Sequence, residues 1–220
     1  MNTKQFVGND IVDLKTSDAI NYPKNLRFVK RVLCEQEQQK FFTHSNSSIL
    51  FWMFWAAKEA VYKIIKKINP KTTFSHRSFQ VTLNEYNSET ALGYVTYRDT
   101  RYFVSFTISK EWVHCVAISG NNFGKIVYQV KANHKILCDP ASFSQSETDS
   151  MHSPESFLVR CLVKNIFKDQ NGNDCEIRRE PLLKKFGPPE LWLDGKKKWD
   201  IDLSMSHDGN YCAGLILFKN

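Results

Sequence analysis

Residues 48–68, SILFWMFWAAKEAVYKIIKKI, limit the possible folds of this chain more than any other segment. Set out at 100° per residue, Leu50, Phe54, Ala57, Val61, Ile64, Ile65 and Ile68 form one apolar stripe, the pattern of a long helix laid on a core. Trp52, Trp55, Glu59, Tyr62, Lys63 and Lys66 fall on the other side. An exposed Glu–Lys pair at i,i+4 is ordinarily a solvated surface feature of about 0.2–0.5 kcal/mol. Here two tryptophans and a tyrosine share that face, so the expectation is that it too is covered, by the second half of the chain or by a ligand.

Strands are expected around this helix. Residues 5–14 read as a strand ending in Asp10 and Asp13, and 24–43 as helix in two pieces. The stretches 78–86, 91–99, 101–109 and 112–119 read as an antiparallel meander, with Tyr102, Val104, Phe106 and Ile108 alternating against Phe103, Ser105 and Thr107. Asn121-Asn122-Phe123-Gly124 reads as a joint. Beyond it the order recurs: a strand at 125–132, a Ser-rich loop over 139–154, a helix at 155–168, and strands near 175–179, 190–193, 200–206 and 210–218. The expected fold is α+β, a pseudo-dimer of two similar halves, 1–124 and 125–220. Each is an antiparallel sheet packed with helix, and the active site lies in the cleft between them.

Bulk properties narrow the function. The 220 residues are 42% hydrophobic and 13% aromatic, an ordinary globular composition. No apolar run nears the roughly 20 residues that span a bilayer, and the start, MNTKQFVGND, lacks a signal-peptide pattern. Cys34, Cys115, Cys138, Cys161, Cys175 and Cys212 form no CxxC pair, so reduced, buried thiols in a cytoplasmic protein are expected, without zinc. A net charge of +7 points to an acidic partner, with basic residues grouped at 63–67, 178–179, 184–185 and 196–198. These groups are not interleaved with aromatics as a nucleic-acid platform would be.

Two carboxylates carry the chemistry. A hard cation such as Mg²⁺ takes one or two protein carboxylates and completes its shell with phosphate oxygens and water. Asp10 and Glu59 are the candidates for those carboxylates, and Lys63 for neutralising the phosphate. His114, inside the apolar run WVHCVAIS, reads as a core residue, while His44, His76, His134 and His152 carry no spacing signal.

The segments VGNDIVDL and FWAAKEAVYK, in this order and separation, resemble the signature of the 4'-phosphopantetheinyl transferases, with Arg27–Leu33 and Glu37 similar to the family's intervening basic stretch and helix. Residues 155–220, including SMSHDGNYCAGLI, are similar to the N-terminal half of the larger surfactin-type enzymes, which implies a circularly permuted order of halves. The other reading is an enlarged small holo-acyl-carrier-protein synthase. The resemblance implies Mg²⁺-dependent transfer of the phosphopantetheine arm of coenzyme A to a serine of an acidic acyl or peptidyl carrier protein by a monomer. A non-catalytic relative binding such a partner is the rival class.

Carried onto this chain, the resemblance makes Asp10 and Glu59 metal ligands, Glu59 the general base, and Lys63 with Lys58 the pyrophosphate contacts. Ser206 and His207 become the pair at the coenzyme A phosphates. Three positions depart from the pattern. Val12 stands where larger members have a second acid, leaving Asp13 as the third metal candidate. The GKP turn reads Gly187-Pro188-Pro189, so its lysine is sought at Lys184, Lys185 or Arg178. Glu155 replaces a base at the helix start, and Ser156 follows as the phosphate-side cap.

Overall fold

The computed structural model describes residues 5–120, 124–182 and 185–219, the side chain of Lys185 excepted. Strand β1 (Val7–Asp13) leads into α1 (Ser17–Asn21), α2 (Leu26–Val32), α3 (Glu35–Thr43) and the long α4 (Ser47–Ile68). The strands β2 (Phe79–Tyr86), β3 (Thr90–Tyr97), β4 (Thr100–Ile108) and β5 (Trp112–Ile118) follow as a meander. All five strands form one antiparallel sheet in the order β1-β5-β4-β3-β2, so the first strand returns beside the last.

The C-terminal part repeats that connection. After β6 (Lys125–Ala132) come α5 (Gln145–Thr148), α6 (Pro154–Asn171), β7 (Glu176–Leu182), β8 (Lys185–Leu193), β9 (Lys196–Lys197), β10 (Ile201–Asp208) and β11 (Tyr211–Phe218). Its first strand again pairs with its last, giving β10-β11-β6, while β7-β8-β9 form a separate antiparallel ribbon. The architecture is α+β with antiparallel sheets, as expected. Lys196 and Lys197 sit beside a hairpin whose Asp194 and Gly195 both have positive φ.

A buried ion pair holds the helices to the meander in each part. Glu37 caps α3 through the Cys34 N–H, accepts the Val81 N–H of β2, and pairs with Lys58 of α4 at 2.6 Å. Glu147 does the same at α5, accepting the Ser144 and Ile177 N–H groups and pairing with Lys164 of α6 at 3.2 Å. A buried carboxylate needs both a counter-ion and hydrogen bonds, and each device supplies them.

The face of α4 opposite its apolar stripe is covered, chiefly by the chain's own first part. Trp52 donates to the Ala19 carbonyl, Trp55 stacks on Phe28, and Tyr62 stacks on Phe74. Farther along the helix, Lys63 and Lys67 reach the second part through hydrogen bonds to Met205, Asp202 and Leu203.

The expectation of reduced thiols fails at one pair. Cys138 and Cys161 form a disulfide, with Cα atoms 5.5 Å apart, because the 133–144 segment folds back over α6, where Asn165 also holds the Leu137 carbonyl. Cys34, Cys115, Cys175 and Cys212 are free thiols. Among the described residues no helix is long and apolar enough to cross a membrane.

Candidate active site

The site begins at β1, whose two faces do different work. With a period of two, Gly8, Asp10 and Val12 point toward α4, while Val7, Asn9, Ile11 and Asp13 point toward the C-terminal sheet. Gly8 permits the close approach of α4, since a Cβ there would lie 2.0 Å from the Ala60 carbonyl oxygen. That approach brings Glu59 and Lys63, on either side of Ala60, to Asp10.

Among the described residues no strand forms a backbone ladder with the edge of β1 away from β5. Instead the N–H groups of Val7, Asn9, Ile11 and Asp13 donate to side chains of alternate β10 residues, Asp202, Ser204, Ser206 and Asp208, at 2.7, 3.0, 3.3 and 2.8 Å. Lysines of α4 take the carbonyls. Lys67 Nζ bridges the Val7 and Leu203 oxygens and Asp202, and Lys63 Nζ bridges the Asn9 and Met205 oxygens and Asp10 Oδ1. The spacing fits because four helical residues rise about 6 Å and two strand residues about 6.6 Å. This seam of three elements places the C-terminal strand against the N-terminal carboxylate.

Asp10 is nearly buried, and the hydrogen bonds described at its carboxylate fall on Oδ1, from Ser206 Oγ at 2.8 Å and Lys63 at 3.1 Å. Glu59 is held at about 7 against an ordinary 4.5, first by burial and then by the Asp10 charge, with Lys63 opposing. A carboxylate whose proton affinity is raised by burial and by a second carboxylate beside it is the electrostatic mark of a place for a cation. The donor set fits a hard divalent ion that completes its shell with phosphate and water. Among the described residues no group of three or more His, Cys, Asp or Glu side chains is placed to hold a metal alone.

His207, the exposed residue of the otherwise covered β10, neighbours this group. Its proton affinity is lowered by partial burial, with Glu155 opposing and Lys63 acting in the same direction as burial. Glu155, in the first turn of α6, is lowered first by its backbone hydrogen bond and then by Ser153, with a contribution from His207. The acid that replaces the expected base therefore faces the histidine.

Four expected site residues have their side chains engaged within the protein. Asp13 lies on the opposite face of β1 from Asp10, fully buried, with Lys15 N–H on Oδ1 and Asn210 N–H and Nδ2 on Oδ2. It pins the β10–β11 turn, where Gly209 has φ +50° and a Cβ would lie 2.3 Å from Asp13 Oδ2. Lys58 is fully buried, its ammonium spent on Val32 O, Glu37 and His76 O, so it has no side open to a pyrophosphate. Ser206 is buried between Ile11 N–H and Asp10, and orients the carboxylate. Ser156 closes the α6 capping box with Ser153, accepting the His152 and Ser153 N–H groups.

Gly187-Pro188-Pro189 is not a turn. It lies within β8, where Pro189 pairs with Arg179 and β9 does not reach, so the prolines occupy a section with strand pairing on one side only. Arg178 is bound bidentately to Glu176 and stacks on Trp192 at 4.5 Å. Lys184 and the side chain of Lys185 lie outside the described residues.

The sequence reading missed His76. Its Nε2 is 3.9 Å from Glu59 Oε1, and its ring lies 4.4 Å from Trp55 and 4.3 Å from Phe74. Burial, Lys58 and Arg31 hold it at about 4, a neutral imidazole. His114 is a buried residue of the seam, within 3.2 Å of Asn9 Nδ2, which also donates to the Ala213 carbonyl.

A model of the 4'-phosphopantetheinyl transferase superfamily matches residues 6–117. The chain belongs to that superfamily. A holo-[acyl-carrier-protein] synthase of Mycoplasmoides gallisepticum is 33% identical over 86 residues, 36% of this chain and 75% of that protein. One from Hydrogenovibrio crunogenus is 34% identical over 59 residues, 27% of this chain and 46% of that protein. The crystal structure of the Thermotoga maritima holo-[acyl-carrier-protein] synthase aligns with 88% of this chain and 85% of its own at 14% identity, with a TM-score of 0.39. The matched span holds Asp10, Glu59 and Lys63 and ends within β5, so this phosphopantetheinyl transferase carries its seam strand β10 outside it.

Proposed function

We propose that this transferase moves the 4'-phosphopantetheine arm of coenzyme A onto a serine of an acyl or peptidyl carrier protein, releasing 3',5'-ADP. The observation that carries the reading is the joining of Asp10 from β1 with Glu59 and Lys63 from α4, on a seam completed by Ser206 of β10. Asp10 and Glu59 would hold Mg²⁺, which when bound neutralises pyrophosphate charge. Glu59 takes the proton of the serine hydroxyl, directly or through water, and an affinity near neutrality suits that task. The serine oxygen forms its bond to the phosphorus bearing the arm as the P–O bond to 3',5'-ADP breaks. Lys63 balances the charge on the leaving pyrophosphate oxygen, and His207 contacts the nucleotide phosphates.

The two like-connected parts, each with its Glu–Lys device, support reading the molecule as a pseudo-dimer with its cleft along the seam. On that reading the halves stand in exchanged order relative to the surfactin-type enzymes, and the fused interface suits a monomer. The basic α2, with Arg27, Lys30 and Arg31, and a net charge of +7 suit an acidic carrier protein.

Calorimetry with coenzyme A tests the reading. Binding should need Mg²⁺ and be lost in Asp10→Asn. Metal-independent binding that survives this substitution refutes the assigned metal site.

A further inference from the structure

We propose that His76 is the positioning residue for Glu59: its Nε2–H donates to Glu59 Oε1 and fixes which carboxylate oxygen meets the substrate. The proposal rests on the reading of Glu59 as base and metal ligand.

Three features of the geometry carry it. First, the ring is immobilised, lying between Trp55 and Phe74 with centroids 4.4 and 4.3 Å away, while Lys58 Nζ holds the His76 carbonyl at 3.1 Å. Trp55, Lys58 and Glu59 all belong to α4, so one stretch of helix grips the ring, the backbone and the imidazole edge together. Second, Nε2 is buried and has no hydrogen-bond partner among the described residues. A buried polar nitrogen without a hydrogen-bond partner loses its hydration for nothing, which favours any motion that pairs it. Third, Glu59 Oε1 stands 3.9 Å away on a flexible side chain, so a carboxylate shift of about 1 Å closes a normal hydrogen bond.

The consequence is directional. With Oε1 held by His76, the second oxygen of Glu59 is left toward Asp10, where the cation and the serine proton are to be met. Groups that hold a ligand from behind typically matter by about 10- to 100-fold.

His76→Phe keeps a ring between Trp55 and Phe74 and removes the N–H, and His76→Gln restores an amide donor. Transfer by His76→Phe should show kcat lowered about 10- to 100-fold with the KM for coenzyme A within about twofold, and His76→Gln should recover part of the loss. Imidazole ¹⁵N spectra of the full-length protein, which need no activity, should place the proton of His76 on Nε2, with a resonance that moves in Glu59→Ala. A His76→Phe kcat within about twofold of wild type overturns the proposal, as does a proton on Nδ1 or an Nε2 resonance indifferent to Glu59→Ala. Absence of transfer in the wild type would count against the proposed function alone, and the spectra would still decide the His76–Glu59 contact.

Discussion

Gly8→Ala should disable the site from beneath. The new Cβ would stand 2.0 Å from the carbonyl oxygen of Ala60 and 3.0 Å from its carbon. Both are backbone atoms of a buried helix, so no side-chain rotation relieves the clash. Restoring ordinary contact requires α4 to retreat from β1 by roughly 1.4 Å. Such overpacking typically costs about 1–3 kcal/mol. The retreat would also stretch the 3.1 Å contact of Lys63 with Asp10 and carry Glu59 away from it. A misplacement of about 1 Å at a reacting centre is worth around 100-fold in rate. Urea unfolding should therefore show a lower midpoint with unchanged slope, and carrier modification a loss near that size while the variant is still folded. An unchanged midpoint with kcat within about twofold of wild type would refute the claim that the glycine sets the helix–strand distance.

Other consequences follow from the buried pairs and from Glu59. Lys58→Met leaves Glu37 without its cation and should lower stability by about 3–5 kcal/mol in urea unfolding, with partial recovery in the Glu37→Gln, Lys58→Met double variant. A loss under about 1 kcal/mol would return Lys58 to consideration as a ligand contact. Asp202→Ala removes the acceptor of Val7 N–H and Lys67 and should cost roughly 3 kcal/mol, with thermal unfolding still a single transition because β1 and β10 bury a shared interface. Two separated transitions would contradict that view of the seam.

The pH dependence has a definite sign. Glu59 rises to about 7 in the folded protein, so between about 4.5 and 7 the folded state keeps a proton that the unfolded chain has released. Its contribution to stability is therefore lost as pH rises through that window, by up to about 3 kcal/mol. Glu59→Gln should gain on wild type over the same window, level off above it, and lose the advantage when Mg²⁺ is added. A constant difference across pH would refute the assigned environment of Glu59.

Much of this was legible in the sequence because periodicity reports local structure. The alternation of β4 and the stripe of α4 gave both elements their correct type, and the predicted boundaries lie within a few residues of those observed. α1 and α5 span five and four residues, too short for a helical period to register. Asp10, Glu59 and Lys63 do converge, through a strand, a glycine and one helix turn that are all local.

Roles set by distant packing were not legible. Lys58 and Lys63 look alike in sequence, yet one is turned toward Glu37 and buried while the other lies on the seam. Ser206 looked like a phosphate contact because its spacing says nothing of the bare edge of β1 it serves. Asp13 carried a signal that reads against it: three residues from Asp10 on a strand is the opposite face. His76 has no motif of its own, and only the packing of Phe74 and Trp55 brings it to Glu59.

The mass of an apo carrier protein after incubation with this transferase, coenzyme A and Mg²⁺ tests the central claim most directly. The account predicts a gain of about 340 Da on one serine, absent with Glu59→Gln, as transfer of the coenzyme's arm requires. No gain with any acyl or peptidyl carrier, together with no coenzyme A binding, would contradict it.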